Sequence, residues 1–257
     1  MITVLSPAKK LSKECSASTS TFTEPKFLAQ SQELITILKK KSPEDLQELM
    51  GISENLSILN WERFQSWKLP LSKNDSREAI FYFEGDTYTG LNANDLNKQD
   101  IAFAQNHARI ISGLYGLLRP LDLILPYRLE MGTRLMNDQG NNLYHFWGDK
   151  LVKSISQELD SHDEKILINC ASVEYFKSLN QDSLDIKVVT PQFKEMKNGK
   201  YKIISFFAKK ARGMMARYII KNQIGDPKSI LQFDYAGYKY NRDLSTLNEP
   251  VFTRAQS

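Results

Sequence analysis

The chain is poor in the residues that build most small-molecule and metal sites. Of its 257 residues, two are cysteine and three are histidine. Cys15 and Cys170 lie far apart and match no zinc or redox spacing. His107, His145 and His162 are scattered, so no pair has ligand spacing and neither metal nor cofactor is expected. No Gly-x-Gly-x-x-Gly or Walker sequence is present, so nucleotide binding by those loops is not supported. No apolar window reaches the roughly 18 residues of a membrane helix. Met1–Leu5 is apolar without a basic flank and reads as a strand, not an export signal. With so few thiols, a reducing cytoplasm is the expected location. Net charge is only +4, too little for bulk electrostatics to name a nucleic-acid partner.

What is present suits an ordinary core: 41% hydrophobic and 25% charged residues. Met1–Leu5 should be a buried strand leading into Ser6-Pro7-Ala8-Lys9, and the polar run from Ser12 to Thr23 an exposed loop. Phe27, Leu28, Leu34, Ile35 and Leu38 mark a helix between Pro25 and Lys40. Ser42-Pro43-Glu44-Asp45 supplies an N-cap, a proline at N1 and first-turn acids. Gly51 suits the end of that helix, and Ser53 the cap of a next one through Phe64. Ala79–Phe83 reads as a strand, Leu143–Leu159 as one core helix and Lys165–Asn169 as a strand. Ser172 is expected to cap a helix to Leu179, with Lys187–Thr190 another strand. Asn198-Gly199 signals a hairpin before a strand Tyr201–Phe207; Ala208–Asn222 reads as a helix, and Leu231–Asn241 with Pro250–Arg254 as a closing β-hairpin. With no repeat or linker, residues 1–257 are expected to form one mixed α/β domain.

Three stretches hold the chemistry. Ser112–Gly132 follows an apolar period (Ile101, Ala104, Ala108, Ile111, Tyr115, Leu118) that describes a helix running into it. Gly113 and Gly116 then permit a tight turn with positive φ. Beyond them Arg119, Asp122, Arg128, Glu130 and Arg134 crowd an apolar run, where they must pair or meet a ligand. In Ala208–Asn222 the apolar face is Ala208, Ala211, Met215, Tyr218 and Ile219. Lys210, Arg217 and Lys221 lie opposite, with Lys209 and Arg212 on the flank. Two lysines in a first turn oppose the helix dipole and suggest a bound anion; a solvated basic face is the plainer alternative. Lastly, Ser6 and Lys9, Asp86 and Tyr88, and Asn169, Ser172 and Glu174 follow three strand ends, where α/β proteins place ligands. With Arg128 and Glu130 they could form an acid/base and anion pocket, or simply caps and an ion pair.

Six segments, in order, resemble the bacterial YaaA family of peroxide-stress proteins. They are Ser6–Lys9, Gly85–Leu91, Ser112–Gly132, Leu143–Lys150, Asn169–Leu179 and Ile204–Ile220. The resemblance implies one α/β domain, a central mixed sheet flanked by helices, with a helix-hairpin-helix-like element. It also implies binding of double-stranded or branched DNA through the backbone, and protection of DNA against iron and peroxide. No membrane or protein partner is implied. Carried over, the DNA-binding role falls on Gly113, Leu114, Tyr115, Gly116 and Arg119, with Lys209, Lys210, Arg212 and Arg217 as the basic helix. Leu49-Met50-Gly51-Ile52-Ser53 is a competing hairpin. The rival reading is an enzyme for a small anionic or nucleotide-like substrate in the polar pocket.

Overall fold

The computed structural model describes residues 1–12, 21–179 and 186–255. Cys15 and most of the expected Ser12–Thr23 loop lie outside them. The architecture is mixed α/β. Its main sheet runs β6-β5-β1-β8-β9, formed by Gly116–Leu118 (β6), Ala108–Ser112 (β5), Ile2–Leu5 (β1), Ile166–Cys170 (β8) and Lys187–Val189 (β9). The β5, β1, β8 and β9 neighbours pair in parallel, and β6 joins the edge antiparallel. Every residue of β1, β5 and β8 is buried, which fits their mainly apolar, non-alternating sequences: helices cover both faces.

Two helix layers sandwich that sheet. On one face Glu158 of Lys150–Leu159 (α8) bonds the buried Arg109 of β5 at 2.5 Å. On the other, Ser205–Lys221 (α10) packs beside Cys170 of β8, together with Lys98–His107 (α6). A second sheet, β11-β10-β13-β12, comprises Lys200–Lys202, Gln192–Lys197, Val251–Arg254 and Lys239–Tyr240. Asn198 (φ 52°) and Gly199 (φ 72°) both turn left-handed between β10 and β11, as an Asn-Gly hairpin requires. Lys10–Leu11 (β2) pairs Phe83–Glu84 (β4), and Arg77–Glu78 (β3) pairs Leu123–Ile124 (β7).

Several expectations are corrected. The helix read through Leu118 stops at His107, and Ala108–Ser112 is a strand. Ala108 and Ile111 satisfy the helical step, but in the strand residues three apart lie on opposite faces, and both are buried because both faces are covered. Ala79–Tyr82 (α4) is a helical turn between two short strands. The Leu143–Leu159 helix is broken by Gly148 (φ 45°) into Leu143–Trp147 (α7) and α8. The strand after Asn198-Gly199 ends at Lys202, and the helix starts at Ser205, three residues before the expected start. Val251–Arg254 does form a hairpin pair with Lys239–Tyr240, but it also pairs in parallel with β10.

Candidate functional site: two hairpins and a polar rim

The Gly113–Gly116 turn joins strands, not helices, and is fully buried. Gly116 does hold a positive φ of 70°. Several polar groups of the turn are used internally. Trp147 Nε1 donates to Gly113 C=O (3.0 Å), Ser31 to Leu114 C=O (3.0 Å), and Tyr115 N–H to Ser112 Oγ (3.0 Å). The Tyr115 hydroxyl accepts from Trp67 Nε1 (2.9 Å) and Leu125 N–H (3.0 Å). A methyl on Gly113 would lie 2.2 Å from Leu129 C=O, and one on Gly116 2.7 Å from the Trp147 ring. The glycines are there because neighbours fill the space a side chain would take. Arg119 is engaged as well, bonding Asp122 (3.2 Å) and Glu24 C=O (3.1 Å).

The helix pair Pro43–Met50 (α2) and Glu54–Ser66 (α3) is the opposite case. A complete capping box starts α2: Asp45 N–H reaches Ser42 Oγ (3.2 Å) and Ser42 N–H reaches Asp45 Oδ2 (2.9 Å). Gly51 ends it left-handed (φ 58°) and exposed, with nothing within 4 Å of an added Cβ. Ile52 then packs inward. Ser53 holds the N-cap position of α3, yet its side chain makes no capping bond. The first intrahelical bond, Ser57 N–H to Ser53 C=O, leaves the amides of Glu54, Asn55 and Leu56 ahead of it.

On α10 the cations divide. Lys209 is exposed and Lys210 half-buried, and they are the fifth and sixth helical residues, a turn later than the dipole argument placed them. Arg217 bonds Asn92 C=O (2.9 Å) and pairs with Asp95, closing the end of Asp86–Leu91 (α5). Two glycines let α5 and α10 cross in backbone contact: a methyl on Gly90 would meet Lys210 C=O at 2.0 Å, and one on Gly213 would meet Thr87 C=O at 1.8 Å. Arg212 does not lie on the flank. Half-buried itself, it shares the sheet-facing stripe with the buried Ala208, Met215, Ala216 and Ile219.

The residues after the strands do converge. Ser172 N–H donates to Ser6 Oγ (2.8 Å), Ser6 Oγ lies 3.3 Å from Ser172 Oγ, and Tyr88 OH donates to Ser6 C=O (3.1 Å). Ser172 therefore holds an N-cap position without capping the short Val173–Phe176 helix (α9). Asn169 Oδ1 accepts from Ala171 N–H (3.0 Å). Glu174 accepts from Gly132 N–H (2.9 Å). Arg128 forks onto Glu130 Oε1 (3.1 and 2.9 Å), which Lys9 also approaches at 3.2 Å. Burial pushes the Glu130 carboxyl up, but the bonds and charges of Arg128 and Lys9 outweigh it and hold it below its usual range. The space bordered by Lys9, Tyr127, Arg128, Glu130 and Tyr175 is about 10 Å³, room for one water rather than a substrate. Asp86 is half-buried at the start of α5, with no hydrogen bond or ion pair to any described residue.

A family model described as peroxide stress protein YaaA matches residues 1–244. The chain belongs to this family. A UPF0246 protein of Hahella chejuensis is 53% identical over 254 residues, 99% of each chain. UPF0246 proteins of Teredinibacter turnerae and Colwellia psychrerythraea are 52% and 51% identical over 256 and 257 residues, the full length of both. Membership supports a role in peroxide stress. Of the six family segments, those at Ser6–Lys9, Gly85–Leu91 and Asn169–Leu179 meet at the rim just described, and Ile204–Ile220 crosses Gly85–Leu91. Most of Ser112–Gly132 builds the core. Reading the sequence alone missed the Gly90–Gly213 crossing and the inward position of Arg212. The signal was available: a glycine in each of two amphipathic helices, and an arginine four residues from Ala208 and from Ala216. Among the described residues, no group of three or more His, Cys, Asp or Glu is placed to hold a metal ion, and no helix is long and apolar enough to cross a membrane.

Proposed function

We propose that this protein acts in the peroxide stress response by binding duplex or branched DNA through its phosphate backbone. The contact is the α2–α3 hairpin, not the Gly113–Gly116 turn. One observation carries the reading: Gly51 is left-handed, exposed and unobstructed, beside the uncapped amides that open α3. A phosphate can approach that backbone closely, and peptide N–H groups at a helix start favour anions. The link to iron is indirect, through shielding DNA where iron and peroxide react.

Charge near the hairpin sets the character of binding. Asp45 is committed to the capping box, while Glu44, Glu48 and Glu54 oppose a polyanion. Amides rather than a dense cationic patch make the contact, so salt dependence should be shallow. Fluorescence anisotropy on an unlabelled-competitor duplex series and a four-way junction tests this. The expected result is sequence-independent binding with a log–log salt slope of about −1 to −2, at about 0.9 per neutralised phosphate. Absence of binding to either DNA form at low salt would refute it.

A further inference from the structure

From the Arg212 guanidinium and the Ser6–Ser172 pair we infer a second site, at the strand ends of the main sheet, for a phosphate-type oxyanion. Arg212 stands in the buried stripe of α10, between Ala208 and Ala216. Long side chains on a helix lean toward its N-terminus, which carries the guanidinium along the sheet. Its neighbour there is Cys170, the last residue of β8 and two before Ser172. The guanidinium makes no hydrogen bond or ion pair with any described residue. Cys170 is no counter-ion, since burial pushes its thiol up to about 12 despite the arginine, leaving it neutral at pH 7. Arg212 is half-buried, and a cation turned toward the sheet without a protein partner is better compensated by an anionic ligand.

The serines supply matching donors. The Ser6 oxygen receives the Ser172 amide proton at 2.8 Å, so its own proton is free to turn to Ser172 Oγ at 3.3 Å. The Ser172 hydroxyl proton is then the one left to point outward. A planar fork of N–H donors and one O–H donor suit a tetrahedral oxyanion better than an apolar or cationic ligand. Arg128 and Lys9 cannot take this part, because both are engaged by Glu130.

The test is a titration of the full-length protein with inorganic phosphate, ionic strength held constant with chloride, read by melting temperature and calorimetry. The parent should melt higher as phosphate rises, and saturably. Arg212→Met should bind phosphate at least about tenfold more weakly. It should melt no lower than the parent in phosphate-free buffer, because it removes an uncompensated charge. Ser172→Ala, a gentler change, should weaken phosphate roughly fivefold. A nucleoside 5′-monophosphate, and short duplexes with and without 5′-phosphates, show which source of the group is taken; tighter binding of either phosphorylated form supports the site. Gly51→Val, aimed at the DNA contact, should leave phosphate binding unchanged, so the two readings fail separately. A parent that responds to phosphate no more than to chloride overturns the assignment. So does an Arg212→Met protein that keeps the response.

Discussion

Two glycine turns of this chain look alike as sequence and differ in almost every physical respect. Gly113-Leu-Tyr-Gly116 reverses one strand onto another beneath Trp147, buried and with bonds to Trp147 and Ser112 from within. Met50-Gly51-Ile52 links two helices at the surface and leaves amides facing solvent. Both Gly116 and Gly51 adopt positive φ. Positive φ therefore marks a turn, while burial decides whether the turn serves packing or a ligand.

Valine at Gly113 should have the largest effect, since its Cβ would collide with Leu129 C=O. A loss of about 3 kcal/mol or more is expected in urea unfolding. Tyr115→Phe strands the Trp67 indole and the Leu125 amide inside the core, so about 1–3 kcal/mol should disappear in the same assay. Gly51→Val has open space around it and suffers only strain, about 1–2 kcal/mol. Below its melting transition it should nevertheless bind duplex about tenfold more weakly, the equivalent of one lost amide–phosphate contact. Stability of the first two variants falling while their folded fraction binds DNA normally would sharpen the contrast.

Acid should act on the polar rim. The Glu130 pKa is lowered on folding, so its contribution to stability is present above the unfolded carboxylate value near 4.3. It is lost as pH falls through the lower folded value. Glu130→Gln should flatten that acid limb of a melting-temperature profile, because it removes the carboxylate that Arg128 and Lys9 stabilise. The smallest effect is expected from Lys209→Gln with Lys210→Gln. If either lysine meets a phosphate, the salt slope flattens by about 0.9 per contact, and an unchanged slope confines binding to the α2–α3 hairpin.

How much of this was legible depended on whether the signal was local. Ser42 to Asp45 and Asn198-Gly199 specify their own geometry through caps and turn conformation, and both formed as the sequence implied. Ala108 and Ile111 fit a helical step as well as a fully buried strand, and only the pairing of Ala108–Ile110 with β1 decides between them. The positive φ of Gly116 was readable, but its burial under Trp147 depends on a residue far along the chain. Ser6, Tyr88 and Ser172 were expected together from their positions after strands, and they do meet. Arg212 was misplaced because helix phase shifts with the core it faces, which periodicity alone leaves open.

The central claim is that the α2–α3 hairpin, and not the β-turn, presents backbone amides to DNA. Amide NMR shifts of the full-length protein during titration with a short duplex test it most directly. The account expects Gly51, Ser53, Glu54 and Asn55 to move while Gly113, Leu114, Tyr115 and Gly116 stay fixed. Shifts at Gly113–Gly116 with a silent Gly51–Asn55 segment would contradict it.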